Sequence, residues 1–223
     1  MAIKLAFIGS TSFGKTCLEI CTDLPDVKVV GIVTGKPTFS ISYREKGVKN
    51  VLYSDLKPWA QSKHIQVATV NRTMRNQDLF ETVKSWRPDC FLVVGWYHML
   101  PKAWRQLAPA YGLHASLLPD YRGGTPLVWS MINGEEKTGI TLFQMDGGVD
   151  TGPIVGQMVE PIYQSDTIAT LYARIEDKGC ELLRKAFPKV LQGEITPLQQ
   201  NHEAARSFPQ RSPEEGIQWY MVR

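Results

Sequence analysis

The sequence predicts an α/β fold built on a mostly parallel sheet. Short apolar runs at 3–8 (IKLAFI), 27–33 (VKVVGIV) and 90–95 (CFLVVG) read as strands buried on both faces. Segments suited to helices separate them, near 15–23, 55–63 and 76–86. Strands that alternate with helices pair in parallel, because each crossover returns the chain to the same end of the sheet.

The first strand ends in the turn Gly9–Gly14. Residues 34–53 mix Gly, Pro, Ser and Lys without a period and read as a long loop. A short strand is expected around 65–68, and Arg87-Pro88-Asp89 ends the helix before the third long strand. Further strands near 110–114, 139–144 and 154–162 extend the sheet, with a short helix at 125–133. The clearest helix is 166–192, where Ile168, Leu171, Ile175, Leu182 and Leu183 recur at helical spacing. Asp166 is its expected N-cap, Gly193 suits the position past its end, and Pro188 is expected to kink or break it. The division is a domain over 1–193 and a short, polar C-terminal extension over 194–223.

Composition excludes several classes. The 223 residues are 43% hydrophobic and 21% charged, ordinary globular values. A net charge of +3, with scattered basic residues, offers no surface for nucleic acid. No apolar run reaches the roughly 18 residues that span a bilayer, so no membrane partner is expected. MAIKLAFIGSTSFGK reads as a buried strand and turn, not a signal peptide. Cys17, Cys21, Cys90 and Cys180 form no CxxC pair and read as buried thiols in a reducing cytoplasm, with no metal site.

Gly9-Ser10-Thr11-Ser12-Phe13-Gly14-Lys15-Thr16 matches the phosphate-binding pattern G-x-x-x-x-G-K-[ST] and stands between a strand and a helix. A P-loop nucleotide-binding enzyme is therefore one reading. That chemistry also needs a carboxylate at the C-terminal end of a neighbouring strand to hold Mg²⁺, and VVGIVTG and FLVVGWYH carry none. Phe13 also puts a ring where such loops carry small residues. A plain strand-to-helix turn accounts for the same glycines.

The chemistry concentrates between Tyr111 and Gly152. His114 stands at a strand end, and Asp150 lies in a Gly-rich turn further along. An imidazole coupled to a carboxylate moves a proton or steadies developing charge.

HASLLPDYRGGTPLVWSMINGEEKTGITLFQMDGGVDTGPI resembles the core signature of the folate-dependent formyltransferases, a family that includes methionyl-tRNA and sugar N-formyltransferases. RPDCFLVVGWYHMLPKAW, FIGSTSFG and RSPEEGIQW are similar to its flanking segments. The resemblance implies a Rossmann-like formyltransferase fold with helices on both faces. It implies an enzyme that transfers a formyl group from N10-formyltetrahydrofolate to a primary amine. His114 and Asp150 match two of the family's three catalytic residues. The third, an Asn two residues before the His that helps hold the oxygen of the tetrahedral intermediate, is Gly112 here. Asn133 and His98 are the possible stand-ins, and a relic that binds folate or nucleotide without transfer is the non-enzymatic alternative.

By the same resemblance the pterin lies against Val94, Gly95, Trp96, Tyr97, His98, Met99 and Leu100. Met145, Asp146, Gly147 and Gly148 face it across the cleft. Gly9, Ser10, Ser116, Arg122 and Gly123 line the substrate side, with Arg122 a candidate for a phosphate. Trp96, Tyr97 and Trp129 could stack a base or sugar. Leu118-Pro119 is expected to be cis. The methionyl-tRNA enzyme carries a further C-terminal barrel, and this sequence ends at Arg223. The expected acceptor is therefore a small amine, foremost a nucleotide-linked amino sugar, with a homodimer possible.

Overall fold

The computed structural model describes residues 1–41 and 44–211, the side chains of 40–46 excepted. Seven strands form one sheet in the order β10-β9-β7-β6-β1-β2-β5. These are β1 (Ile3–Gly9), β2 (Val27–Thr34), β5 (Gln66–Thr69), β6 (Cys90–Val94), β7 (Ala110–His114), β9 (Lys137–Gln144) and β10 (Ile154–Pro161). The first five run parallel, and β9 is antiparallel to both β7 and β10. The expected mostly parallel sheet is present.

Alternation along the strands fills both faces, because successive side chains point to opposite sides. Leu5 and Phe7 of β1 and Leu92 and Val94 of β6 pack under α1 (Ser12–Asp23) and α6 (Ile168–Leu191). Ala6 and Ile8, with Phe91 and Val93, pack under α3 (Gln77–Ser85) and α4 (Lys102–Leu107). The short helices α2 (Lys57–Ser62) and α5 (Pro126–Ile132) complete the first layer. All four cysteines are buried and free. Burial pushes the Cys90 thiol up to about 12, so it stays protonated and inert at neutral pH.

Several expectations are corrected. The stretch 34–53 is not all loop, since β3 (Thr38–Ile41) and β4 (Arg44–Lys49) pair antiparallel. Helix α4 had no periodic signal, being six residues long. Thr167, not Asp166, caps α6, in a reciprocal box with Thr170. The Asp166 carboxylate instead takes two Arg174 donors and the Tyr163 amide, and these hold it well below the usual carboxylate range. Helix α6 continues through Pro188 to Leu191. Pro188 lies in the last turn, and buried Phe187 and Val190 hold that turn to the core. The polar tail is not irregular throughout. A 3-10 turn (His202–Ala204) leads to β11 (Ser207–Phe208), which pairs with β8 (Arg122–Gly123). Of RSPEEGIQW, only Arg211 lies within the described residues.

Candidate active site

The direction of the sheet reverses at β1. The chain builds β2 and β5 on one side, then returns to lay β6 and β7 on the other. Ligands of open α/β sheets bind outside the carboxyl ends of the strands at such a point. The turn after β1 and the loop after β6 meet there. A Cβ on Gly9 would lie 2.5 Å from the Val94 carbonyl, and one on Gly95 (φ +60°) 2.0 Å from Thr11 Oγ1. Only glycine allows that approach.

The same turn disposes of the phosphate cradle. The Gly14 amide donates to Thr11 Oγ1 and the Ser12 amide to the Leu52 carbonyl, so both amides are already engaged. Phe13 is buried in the core. Lys15 lies on the outer surface, 3.7 Å from Glu19. The expected result for Lys15→Ala is unchanged transferase activity and a stability change within about 0.5 kcal/mol, read by urea unfolding. A large loss of activity would restore the P-loop reading.

His114 ends β7, and its imidazole is held on two sides. Nε2 lies 2.8 Å from the Tyr121 carbonyl. A carbonyl only accepts, so the hydrogen sits on Nε2 and Nδ1 is the edge turned to Asp150. Nδ1 stands 3.5 Å from Asp150 Oδ2, and both side chains remain slightly open to solvent. The Gly123 amide donates to that same Oδ2 at 2.9 Å. Asp150 itself adopts φ +54°. A left-handed non-glycine residue costs about 1–2 kcal/mol, so its surroundings must hold it there. A proton arriving between Nδ1 and the carboxylate meets a lone pair on one side and a negative charge on the other. That is the geometry of a proton acceptor.

The position of Gly112 is filled from the neighbouring strand. Gly112 pairs with Phe143 across β7 and β9. A Cβ there would stand 3.1 Å from the Phe143 ring and 3.6 Å from Met145 Cγ. Apolar atoms therefore crowd the Cβ that any larger residue would place there. Asn133, the other possible stand-in, spends one of its two amide hydrogens on the Tyr121 hydroxyl at 3.1 Å. His98 packs against Trp96 with ring centres 5.3 Å apart, and partial burial lowers its pKa.

The remaining expected residues divide into three groups. Val94 and Leu100 are buried, so only their backbone can meet a ligand. Tyr97 and Met99 are exposed on the loop after β6, as is Val149 in the turn before Asp150. Asp146 Oδ1 accepts from Gly148 N and Thr151 Oγ1, which shapes that turn. Gly147 lies beside Arg105, and Met145 packs against the core. On the other side Ser116 is fully buried and donates to the Asp120 carbonyl. Arg122 is 6% exposed and turns inward to Gln200 Oε1 and His202 Nδ1. Trp129 donates to the Pro209 carbonyl and packs on Phe208, under the tail. Leu118-Pro119 is cis.

A cavity of about 380 Å³ opens at the carboxyl ends of β1, β2, β5 and β6. Ser10, Trp96, Tyr97 and His98 line it with Lys36 and Arg72, and among the described residues no carboxylate does. Phe39 and Tyr97 stack at its wall, ring centres 4.4 Å apart. Lys36 and Arg72 gave no signal in the sequence, because they sit on separate loops that only the fold brings together. Among the described residues no group of three or more His, Cys, Asp or Glu could hold a metal, and no helix is long and apolar enough to cross a membrane.

An open, mostly parallel α/β sheet with a His–Asp pair at its carboxyl edge is a Rossmann-like fold with a site that can handle a proton. The sequence profile of the formyl transferase family matches residues 3–187, and the chain belongs to that family. Methionyl-tRNA formyltransferase of Streptococcus pyogenes serotype M2 is 32% identical over 221 residues, covering 98% of this chain and 69% of that protein. The fold is similar to the N-formyltransferase from Helicobacter canadensis, solved with folinic acid and dTDP-3-aminofucose. That comparison has a TM-score of 0.69 and 21% identity, covering 93% of this chain and 71% of the other. It is also similar to methionyl-tRNA formyltransferase from Clostridium thermocellum, with a TM-score of 0.57 and 20% identity, covering 96% and 74%.

Proposed function

We propose that the protein transfers a formyl group from N10-formyltetrahydrofolate to the primary amine of a nucleotide-linked amino sugar. The observation that carries the transfer is the His114–Asp150 pair, fixed by the Tyr121 carbonyl and the Gly123 amide at the carboxyl edge of the sheet. When bound, the folate supplies an activated formyl carbon.

The residues fit a flat, partly apolar donor. Tyr97, Met99 and Val149 are exposed apolar side chains on the loops that flank the cleft. Trp96 Nε1 is buried with no partner among the described residues. An unpartnered buried N–H is costly and is satisfied by a ligand acceptor. With the Nε2 hydrogen given to the Tyr121 carbonyl, a second proton on Nδ1 makes His114 an imidazolium that can donate toward the formyl oxygen. Asp150 keeps the ring oriented and takes the proton the attacking amine sheds, directly or through water, and that proton passes to the folate nitrogen as its bond to the formyl carbon breaks.

The acceptor side rests on the Lys36 and Arg72 part of the cavity, which shares the Trp96–His98 loop with the donor. Lys36 and Arg72 have no carboxylate partner among the described residues. The Phe39–Tyr97 stack offers a face to a base or sugar. Cations with aromatic walls and no acid suit a phosphate-bearing, ring-containing amine. One structural neighbour supports this reading, the Helicobacter canadensis enzyme solved with an amino sugar joined to dTDP, while the sequence relatives are methionyl-tRNA formyltransferases.

The test is tetrahydrofolate release from N10-formyltetrahydrofolate with a panel of nucleotide-linked amino sugars. The expected result is turnover with at least one of them. In a Lys36→Met/Arg72→Met double variant, the acceptor KM is expected to rise about 10-fold or more while the donor KM stays within about twofold. Folate binding without turnover on any amine would favour the relic reading, which the missing Asn at position 112 motivates. Turnover only with an aminoacylated tRNA would overturn the acceptor assignment.

A further inference from the structure

We infer that Gln200 is a positioning residue that holds the Asp150 carboxylate against His114, an inference that rests on the catalytic reading of that pair. Gln200 lies in the segment after α6, 5% exposed, two residues past the bridge between Leu198 and Ile154. Its amide nitrogen donates to the Asp150 carbonyl at 2.9 Å and to the Gly152 carbonyl at 2.6 Å. Its amide oxygen accepts from Arg122 Nε at 3.1 Å and Nη2 at 2.6 Å. A carboxamide has two hydrogens and two lone pairs, so all four are engaged.

Both ends of this bridge bear on the pair. One end grips the backbone of Asp150, the residue held in the left-handed conformation. The other grips Arg122, which stands between the two backbone groups that fix the pair. Tyr121 supplies the carbonyl on His114 Nε2, and Gly123 supplies the amide on Asp150 Oδ2. His202 Nδ1, 3.1 Å from Arg122 Nη2, steadies the guanidinium from the far side. Gln200 thus ties the loop that carries the carboxylate to the loop that contacts both partners, and it sets the separation between them. It makes no hydrogen bond to His114 or to the Asp150 side chain. No motif marks it, since Arg122 and Asp150 are 78 and 50 residues away.

The decisive variant is Gln200→Glu. It keeps the length and still accepts from Arg122, but it removes both donors and sets a charged oxygen against two carbonyls. Gln200→Met keeps the bulk, removes every hydrogen bond, and carries the same test should the first variant not fold. Two readouts are taken, with Asp150→Asn as reference. The first is steady-state kinetics, where kcat is expected to fall about 10- to 100-fold with both KM values within about threefold. The second is the amide resonance of Gly123, which reports the bond to Asp150 Oδ2 without any turnover. It is expected to move in the same direction as in Asp150→Asn, where the charged acceptor of that amide is replaced by a weaker, neutral one. A folded variant with wild-type kcat and an unmoved Gly123 resonance overturns the inference. If Asp150→Asn itself keeps wild-type transfer, the catalytic reading of the pair fails. The Gly123 resonance then still decides whether Gln200 holds the carboxylate.

Discussion

Asp150→Asn is expected to lower kcat by about 10²–10⁴-fold, the range for removing a positioned proton acceptor. The substitution is chosen so that little else changes. Asparagine tolerates the left-handed backbone found at 150 better than most residues. Its amide oxygen can still accept from the Gly123 amide, which lies 2.9 Å from Oδ2 in the wild type. What disappears is the negative charge 3.5 Å from His114 Nδ1. Without it the ring lacks the group that orients its Nδ1 edge, and the amine's proton loses its destination. The expected pattern is a fall in kcat with modest change in either KM, because the lost interaction acts in the chemical step. His114→Gln should lose a comparable factor. The double variant should lose far less than the product, since two groups that act as a unit are not additive. A fall confined to KM would mean that Asp150 only binds substrate.

The second large effect is expected at position 112. Gly112→Asn alone restores the family's residue type but not its function. The new Cβ meets the Phe143 ring at 3.1 Å, and that ring is 3% exposed. Such overpacking costs about 1–3 kcal/mol. The carboxamide would also lie among apolar atoms of Phe143 and Met145, which disfavours it further. Pairing the change with Phe143→Val opens the space. The Gly112→Asn/Phe143→Val protein is then expected to gain about 10²-fold in kcat over wild type, the worth of one donor to a developing oxyanion. Urea unfolding and single-turnover rates on both variants check this. An unchanged rate in a folded double variant would show that another group already holds that oxygen.

The long strands were legible because a strand buried on both faces must be largely apolar, and 3–8, 27–33 and 90–95 are, apart from Lys4 and Lys28 at their exposed starts. The 38–49 hairpin was not, because β3 alternates over only four residues, Thr38–Ile41, and β4 (Arg44–Lys49) is almost wholly polar. Asp166 and Thr167 are both capping types, and only the reciprocal bonds between Thr167 and Thr170 choose between them. At the site, the motif brought His114 and Asp150 together and exposed the gap at Gly112. What fills that gap depends on the register of β7 against β9, which no local pattern encodes. The engagement of Arg122 by Gln200 and His202 depends in turn on the path of the tail.

The most direct test follows the formyl carbon itself. Donor labelled with ¹³C in the formyl group is mixed with enzyme and a nucleotide-linked amino sugar, and the carbon resonances are read after one turnover. The account predicts a formamide carbon on the sugar amine with the wild-type protein and its loss in Asp150→Asn. Label released as formate in both proteins, or formamide formed equally well in both, would contradict it.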